Sequence, residues 1–306
     1  MYYLNGIPLE NYGIIAGQAA RSHYALTGAW DMPARIGKTH HVWADDHSIE
    51  PYVLAEEIRF GGRDITFTGY VEGATKNDVL RKCYQLYKDI AAFTDLVTLD
   101  GGILGSWQVL VKGEIKIDPV TDGCFKITIP FREPVVDLTG ELPVNLPDQE
   151  ASLQGSYGID GISFDSLGLL IMSIESQFNR PALKEAKFNT WSTEGFKLTK
   201  PGHRELMLKA FIHQPTYEAF KTVLKGLYAL FTKPGLRYIT NEGDALRDFF
   251  VKDGFQITGL KNEDDSFYAY LDIKLTEVSA NTDWYLLNSM ADQRITTQTR
   301  NIIFTK

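Results

Sequence analysis

The chain carries one pattern twice, and that repetition constrains its fold more than any other feature. The segment Asn5-Gly6-Ile7-Pro8-Leu9-Glu10-Asn11-Tyr12-Gly13-Ile14-Ile15 reads like Asp160-Gly161-Ile162-Ser163-Phe164-Asp165-Ser166-Leu167-Gly168-Leu169-Leu170. Further on, Arg63–Val71 reads like Arg204–Ile212, and an amphipathic helical pattern follows each. From Arg63 and Arg204 through Thr75 and Thr216 to Thr98 and Ile239 the paired residues stay 141 apart. The opening segments stand 155 apart, so the first copy holds about 14 more residues between Ile14 and Arg63. Self-similarity of this kind predicts two copies of one supersecondary unit.

Each copy reads as strands with one helix. Asn5-Gly6 is a strong short-turn signal, and an apolar segment, Tyr12 to Ala16, follows it. Along Asp64–Val71, Ile65, Phe67 and Gly69 alternate with Thr66, Thr68 and Tyr70, the period of a half-buried strand. Thr75 is a helix N-cap with Asp78 three positions on, and Val79, Cys83, Leu86, Ile90 and Phe93 then form one buried stripe. Strands are expected at Leu96–Leu99, Trp107–Ile117 and Phe125–Phe131, the last two joined at Asp122-Gly123. In the second copy Thr216 is the cap, the stripe is Phe220, Val223, Leu224, Leu227, Tyr228 and Phe231, and Pro234-Gly235 stops the helix. Its later strands are Leu236–Thr240, Phe249–Leu260 and Phe267–Val278. The predicted fold is α+β, mainly β: two tandem β-sandwich or barrel domains, each flanked by one α-helix. The first covers residues 1–140 with an inserted loop at 17–58. Residues 141–156 are the linker, 157–279 the second domain, and 280–306 a C-terminal extension with a further extended segment, Arg294–Thr305.

At 306 residues, 44% hydrophobic and 23% charged, the chain is long enough for two cores. No run of about 18 apolar residues predicts a membrane helix, and the N-terminus lacks the basic and apolar regions of a secretory signal. The two cysteines, Cys83 and Cys124, read as free thiols, Cys83 being on the helix stripe. A net charge of −8 argues against a nucleic-acid reader, which needs a basic stripe to displace counterions. It is compatible with a wall that surrounds DNA without gripping it.

Nothing in the chain reads as catalytic. The densest polar cluster, His40, His41, Trp43, Asp45, Asp46 and His47, has metal-ligating residue types but no spacing of a closed site, and reads as an interaction loop. Asn262-Glu263-Asp264-Asp265 lacks the spacing of a calcium loop and reads as a hairpin tip. Gly101-Gly102-Ile103-Leu104-Gly105 lacks the Lys-Ser/Thr of a phosphate loop and reads as a turn. There is no Gly-x-Ser-x-Gly elbow and no convincing Cys/His pair. Arg63 and Arg204, at equivalent strand starts, read as structural ion-pair partners, in preference to lining an interface between copies. No catalytic residue, cofactor or metal is assigned.

The order of strand, Asn-Gly turn, Tyr12-Gly13-Ile14 segment, long loop, Gly61–Val71 strand, capped helix and hairpins resembles the N-terminal domain of phage distal tail proteins, whose opening reads like NGIDFSDYGL. The resemblance covers most of residues 1–278. It implies a fold shared with tail tube and hub proteins, in which neighbouring domains join sheets into a closed inner barrel around a channel. It also implies a non-enzymatic virion protein of the phage tail, made in the host cytoplasm. Such a protein forms a distal tail or baseplate ring that connects the tube to the hub or receptor-binding apparatus. Its partners would be itself as a trimeric or hexameric ring, adjacent tube, hub or baseplate proteins, and DNA passing non-specifically through the lumen, with no membrane insertion. The chain departs from that family in its second half, which looks like another tube-type domain rather than a carbohydrate-binding module. The alternative implied is a tube or hub protein forming a pseudo-six-fold trimer. An alternative of another class is a carbohydrate-binding β-sandwich using Trp43, Trp107 or Trp191.

Overall fold

The computed structural model describes residues 1–19, 21–43, 49–144, 158–176, 183–189, 194–240, 246–264 and 266–278, with 179, 181, 191, 285–286 and 304–305. Three of the predicted interaction-loop residues (Asp45, Asp46 and His47), residues 145–156 of the predicted linker and most of the C-terminal extension lie outside these. The chain is mainly β, with two α-helices among the described residues.

In the first half the strands are β1 (Tyr3–Leu4), β2 (Ile7–Pro8), β3 (Ile14–Ala16), β4 (Leu26–Thr27), β5 (His40–Val42), β6 (Ile49–Pro51) and β7 (Arg63–Glu72). Helix α1 (Lys76–Ala91) follows, then β8 (Val97–Asp100), β9 (Ser106–Val111), β10 (Lys116–Thr121) and β11 (Cys124–Glu133). The second half has β12 (Gly158–Ile159), β13 (Ile162–Ser163), β14 (Leu169–Glu175), β15 (Leu183–Asn189), β16 (Glu194–Pro201) and β17 (Glu205–Gln214). After α2 (Tyr217–Thr232) come β18 (Arg237–Thr240), β19 (Leu246–Phe250), β20 (Phe255–Glu263) and β21 (Ser266–Glu277).

The repeated sequence gives a repeated sheet. The first sheet runs β2-β1-β8-β9-β11-β7-β3, with β10 beside β11. The second runs β13-β12-β18-β19-β21-β17-β14, with β20 beside β21, the same order element for element. Both opening hairpins turn on two residues of positive φ, Asn5 (50°) with Gly6 (77°) and Asp160 (52°) with Gly161 (78°). These are the residue types that reach the left-handed region most easily, and their twist matches that of the strands they join. The central pairs are β7 with β11 and β17 with β21, each in register over ten residue pairs. Along β7, Ile65, Phe67 and Val71 are buried while Tyr70 is exposed, the alternation the sequence predicts.

The two helices are 16 residues each, lie 141 residues apart and are capped alike. Thr75 Oγ1 accepts from Asp78 N–H (3.3 Å) and Thr216 Oγ1 from Ala219 N–H (3.1 Å), satisfying a donor that has no partner inside the helix. Helix α1 lies on β7 and β11 and buries Cys83 with Val79 and Leu86, the last two each worth about 1.5–3 kcal/mol relative to exposure. Burial also pushes the Cys83 thiol up, so it is a packing group rather than a nucleophile. Helix α2 buries a second face as well, Tyr217 and Tyr228 included, because the first half packs on it. One connected apolar cluster spans both sheets.

Three local expectations change. Trp107–Ile117 is not one strand but β9 and β10, and Phe249–Leu260 is β19 and β20. The breaks fall at Gly113 (φ 85°) and Gly254 (φ 69°), which turn the chain where apolar alternation alone would carry it on. The repeat offset also drops by one after the helices. Asn5 N–H bonds Thr98 O, and Asp160 N–H bonds Tyr238 O, so Thr98 answers to Tyr238 rather than Ile239. The shorter exit follows from α2 leaving its last turn directly into extended backbone at Lys233 (ψ 133°), where Ala92 of α1 remains helical (ψ −11°).

Candidate interaction surfaces

The seam between the halves is built by the 17–58 insertion. Instead of standing clear, this segment straps the second half. Its residues 22–35 run along the outer edge of β20: Ser22 Oγ donates to Leu260 O (2.8 Å), and His23 N–H does so too (2.9 Å). Met32 N–H donates to Phe255 O (2.9 Å) and Arg35 N–H to Lys252 O (2.8 Å). Asp31 Oδ1 accepts from Ile257 N–H (2.7 Å). Further along, Ile49 N–H donates to Val278 O (2.9 Å), and Gly235 N–H to Val53 O (2.8 Å). The bonds to Phe255, Ile257 and Leu260 satisfy main-chain groups of an edge strand that would otherwise need water or a partner.

Behind the strap, tyrosines of α2 anchor the first half. The Trp30 indole N–H donates to Tyr217 Oη (2.8 Å), and the Tyr217 hydroxyl donates to Leu104 O (2.6 Å). The Tyr228 hydroxyl donates to Trp30 O (2.6 Å), and burial pushes its pKa up to about 12. Arg63 completes the network: its Nε donates to Glu133 (2.5 Å) and its Nη1 to Asp31 O (3.1 Å). In the second half Arg204 faces Glu277 at 3.6 Å, the same strand-start pair. The structural role read for both arginines in the sequence is what the geometry shows. Desolvation raises the Glu133 carboxyl although Arg63 opposes it, and raises Asp31 to about 6. A cleft of about 210 Å³ remains at the mouth of this seam, between Trp107 and Lys225. The segment after β11 closes over α2 too, with Leu138 packed on the core and Gly140 against the Lys225 backbone.

The predicted interaction-loop residues divide between two faces. The half-buried His40 ring meets His203 (5.9 Å between centroids) and Phe250 (5.6 Å) of the second half. The His41 ring instead packs edge-on to Trp43 (4.3 Å), whose indole N–H donates to Glu50 (3.0 Å) while the side chain stays 52% exposed. Strand alternation along β5 explains the division. Among the described residues no three His, Cys, Asp or Glu side chains gather as a metal site. Of the tryptophans offered as a sugar platform, Trp107 is only 6% exposed and its indole N–H is committed to Ala29 O, so it cannot serve. Trp43 and Trp191 are exposed. Sequence reading missed the residues that matter most to the seam, Trp30, Asp31 and Met32. Their signal was a Trp and a Met two positions apart in a segment without helix or strand periodicity.

No helix among the described residues is long and apolar enough to cross a membrane. No protein-family model and no curated protein matches the chain. Among solved structures it is similar to the SPP1 Dit (gp 19.1) protein, whose crystal structure is described as a paradigm of hub adsorption apparatus in phages infecting Gram-positive bacteria. The identity is 11% and the TM-score 0.34, over 90% of this chain and 98% of that one.

Proposed function

We propose that the chain is a non-enzymatic structural protein of a phage tail, forming a ring at the distal, baseplate end with a lumen for DNA. The observation that carries this reading is the doubled sheet, one strand order used twice in one chain with a helix at the same place in each half. A repeated unit joined through its flank is suited to building a wall by repetition, and closed symmetry keeps such association finite. The opening motifs and their order, which resemble distal tail proteins, point to the tail. In this reading the halves are two domains, 1–140 and 157–279, joined through 141–156, and the 280–306 extension reaches an adjacent tail protein. The net charge of −8 suits a wall past which phosphates slide. A tube or hub position is the second reading. It is favoured by the seam, in which the halves pack against one another as successive wall elements would.

The test is the solution mass of the full chain by light scattering, with negative-stain imaging of any oligomer. A three-copy ring with six-fold outline supports both halves in the wall. A six-copy ring supports a distal ring with the second half outside. A monomer up to the solubility limit overturns the ring.

A further inference from the structure

Strands at equivalent places in the two halves have different surroundings. β20 is hydrogen-bonded on one side to β21 and sealed on the other by the strap. β10 holds the same place beside β11, yet among the described residues it pairs with β11 alone. Val120 on this strand is 58% exposed. The helices differ in the same sense. Tyr217 and Tyr228 of α2 are buried against the first half. Their counterparts 141 residues earlier are Lys76, which is exposed, and Tyr87, which is half-buried beside a 67% exposed Tyr84. One flank of the first half is therefore bare where the same flank of the second half is covered. An open edge strand is a template for pairing, and exposed tyrosines are typical of interface cores.

The covering element inside the chain is the connection from β3 to β7. The matching connection in the second half, from β14 to β17, carries the hairpin β15–β16, whose strands among the described residues pair with one another only. Among the described residues it makes no pairing with β10 of its own chain. The relation between the halves is thus not a closed two-fold, since a two-fold would seal both edges at once. Repeating the relation leads from the second half to a new first half, and that must belong to another molecule.

Resting on the ring reading above, we infer that the β10 edge and the outer face of α1 receive the β15–β16 hairpin of a second copy of this chain, as β20 and α2 receive the strap. The contact is head-to-tail, with different surfaces on its two sides.

The experiment places a benzophenone amino acid at Val120 of the full chain, irradiates an equal mixture of light and nitrogen-15-labelled protein, and maps the cross-links by mass spectrometry. The expected product is a mixed-isotope cross-link from the 116–121 peptide to one within 176–204. A second variant, Val120→Asp, is expected to raise the half-assembly concentration by about tenfold or more while leaving the melting temperature of the monomer unchanged. Cross-links confined to one chain, or an oligomer cross-linked elsewhere, overturn the edge contact and leave the ring standing. The expected cross-link in open chains that never close overturns the ring and leaves the contact standing. Monomers without mixed cross-links overturn both.

Discussion

The Tyr228 hydroxyl of the second half donates to the Trp30 carbonyl of the first at 2.6 Å, across 198 residues of sequence. Removing that donor strands a buried acceptor, which costs the desolvation of the group as well as the bond, about 1–3 kcal/mol. Tyr228→Phe should therefore lower the urea midpoint measurably. Tyr87→Phe, at the equivalent place on α1 but half-buried, should change the unfolding free energy by less than about 0.5 kcal/mol. Equal effects would mean that α2 is not held at the seam.

Arg63 and Glu133 are both about nine-tenths buried and 2.5 Å apart. Arg63→Met leaves an uncompensated carboxylate there and should destabilise the chain by about 3–5 kcal/mol in equilibrium unfolding. Arg63→Met with Glu133→Leu should recover most of that loss. A double variant as unstable as the single would show that packing, not charge, sets the cost.

Asp31 gives the seam a pH dependence of unusual sign. Burial raises its carboxyl from 3.8 to about 6, above its unfolded value, so folding takes up a proton on this group. The ionised form destabilises the fold above pH 6, and the penalty is relieved as the pH falls toward 4. Asp31→Asn keeps an acceptor for Ile257 N–H and should add about 2–3 kcal/mol at pH 8, with little gain at pH 4. Melting temperatures of both proteins across this range provide the check, and a gain independent of pH would refute it.

Gly113 and Gly254 turn the chain ahead of β10 and β20 under different crowding. A Cβ at Gly113 meets nothing within 4 Å, whereas one at Gly254 collides with the Met32 and Pro33 carbonyl oxygens of the strap. Gly113→Ala should cost about 1–2 kcal/mol for left-handed backbone alone. Gly254→Ala should cost more and should speed proteolytic cleavage within residues 21–35. Similar protease sensitivity in the two variants would argue that the strap does not lie on β20.

What the sequence made legible was local. The Asn5-Gly6 and Asp160-Gly161 turns, the Thr75 and Thr216 caps and the Ile65–Phe67–Val71 alternation each depend on neighbours within a few positions, so their residue types announce them. The strap was read only as an irregular insertion because its partners are remote. Asp31 finds Ile257, and Met32 finds Phe255, and no periodicity in residues 17–58 encodes a surface that far along the chain. The doubled burial of α2 was hidden for the same reason: Tyr217 and Tyr228 look like ordinary members of an amphipathic helix until the first half covers them. Of the six interaction-loop residues, the three that are described divide between the seam and solvent. His40 belongs to one, and His41 and Trp43 to the other.

The strap also sets a timetable for synthesis. Trp30 and Met32 leave the ribosome well before β20, the edge they will cover, has been made. At about 5–20 residues per second the interval is on the order of 10–45 s. During that time Met32 waits without the Phe255 main chain it will bond, and Trp30 has only the Trp107 edge of its own half to pack against. Codon usage and chaperone binding between Met32 and Phe255 should therefore influence the yield of folded protein more than the final stability does.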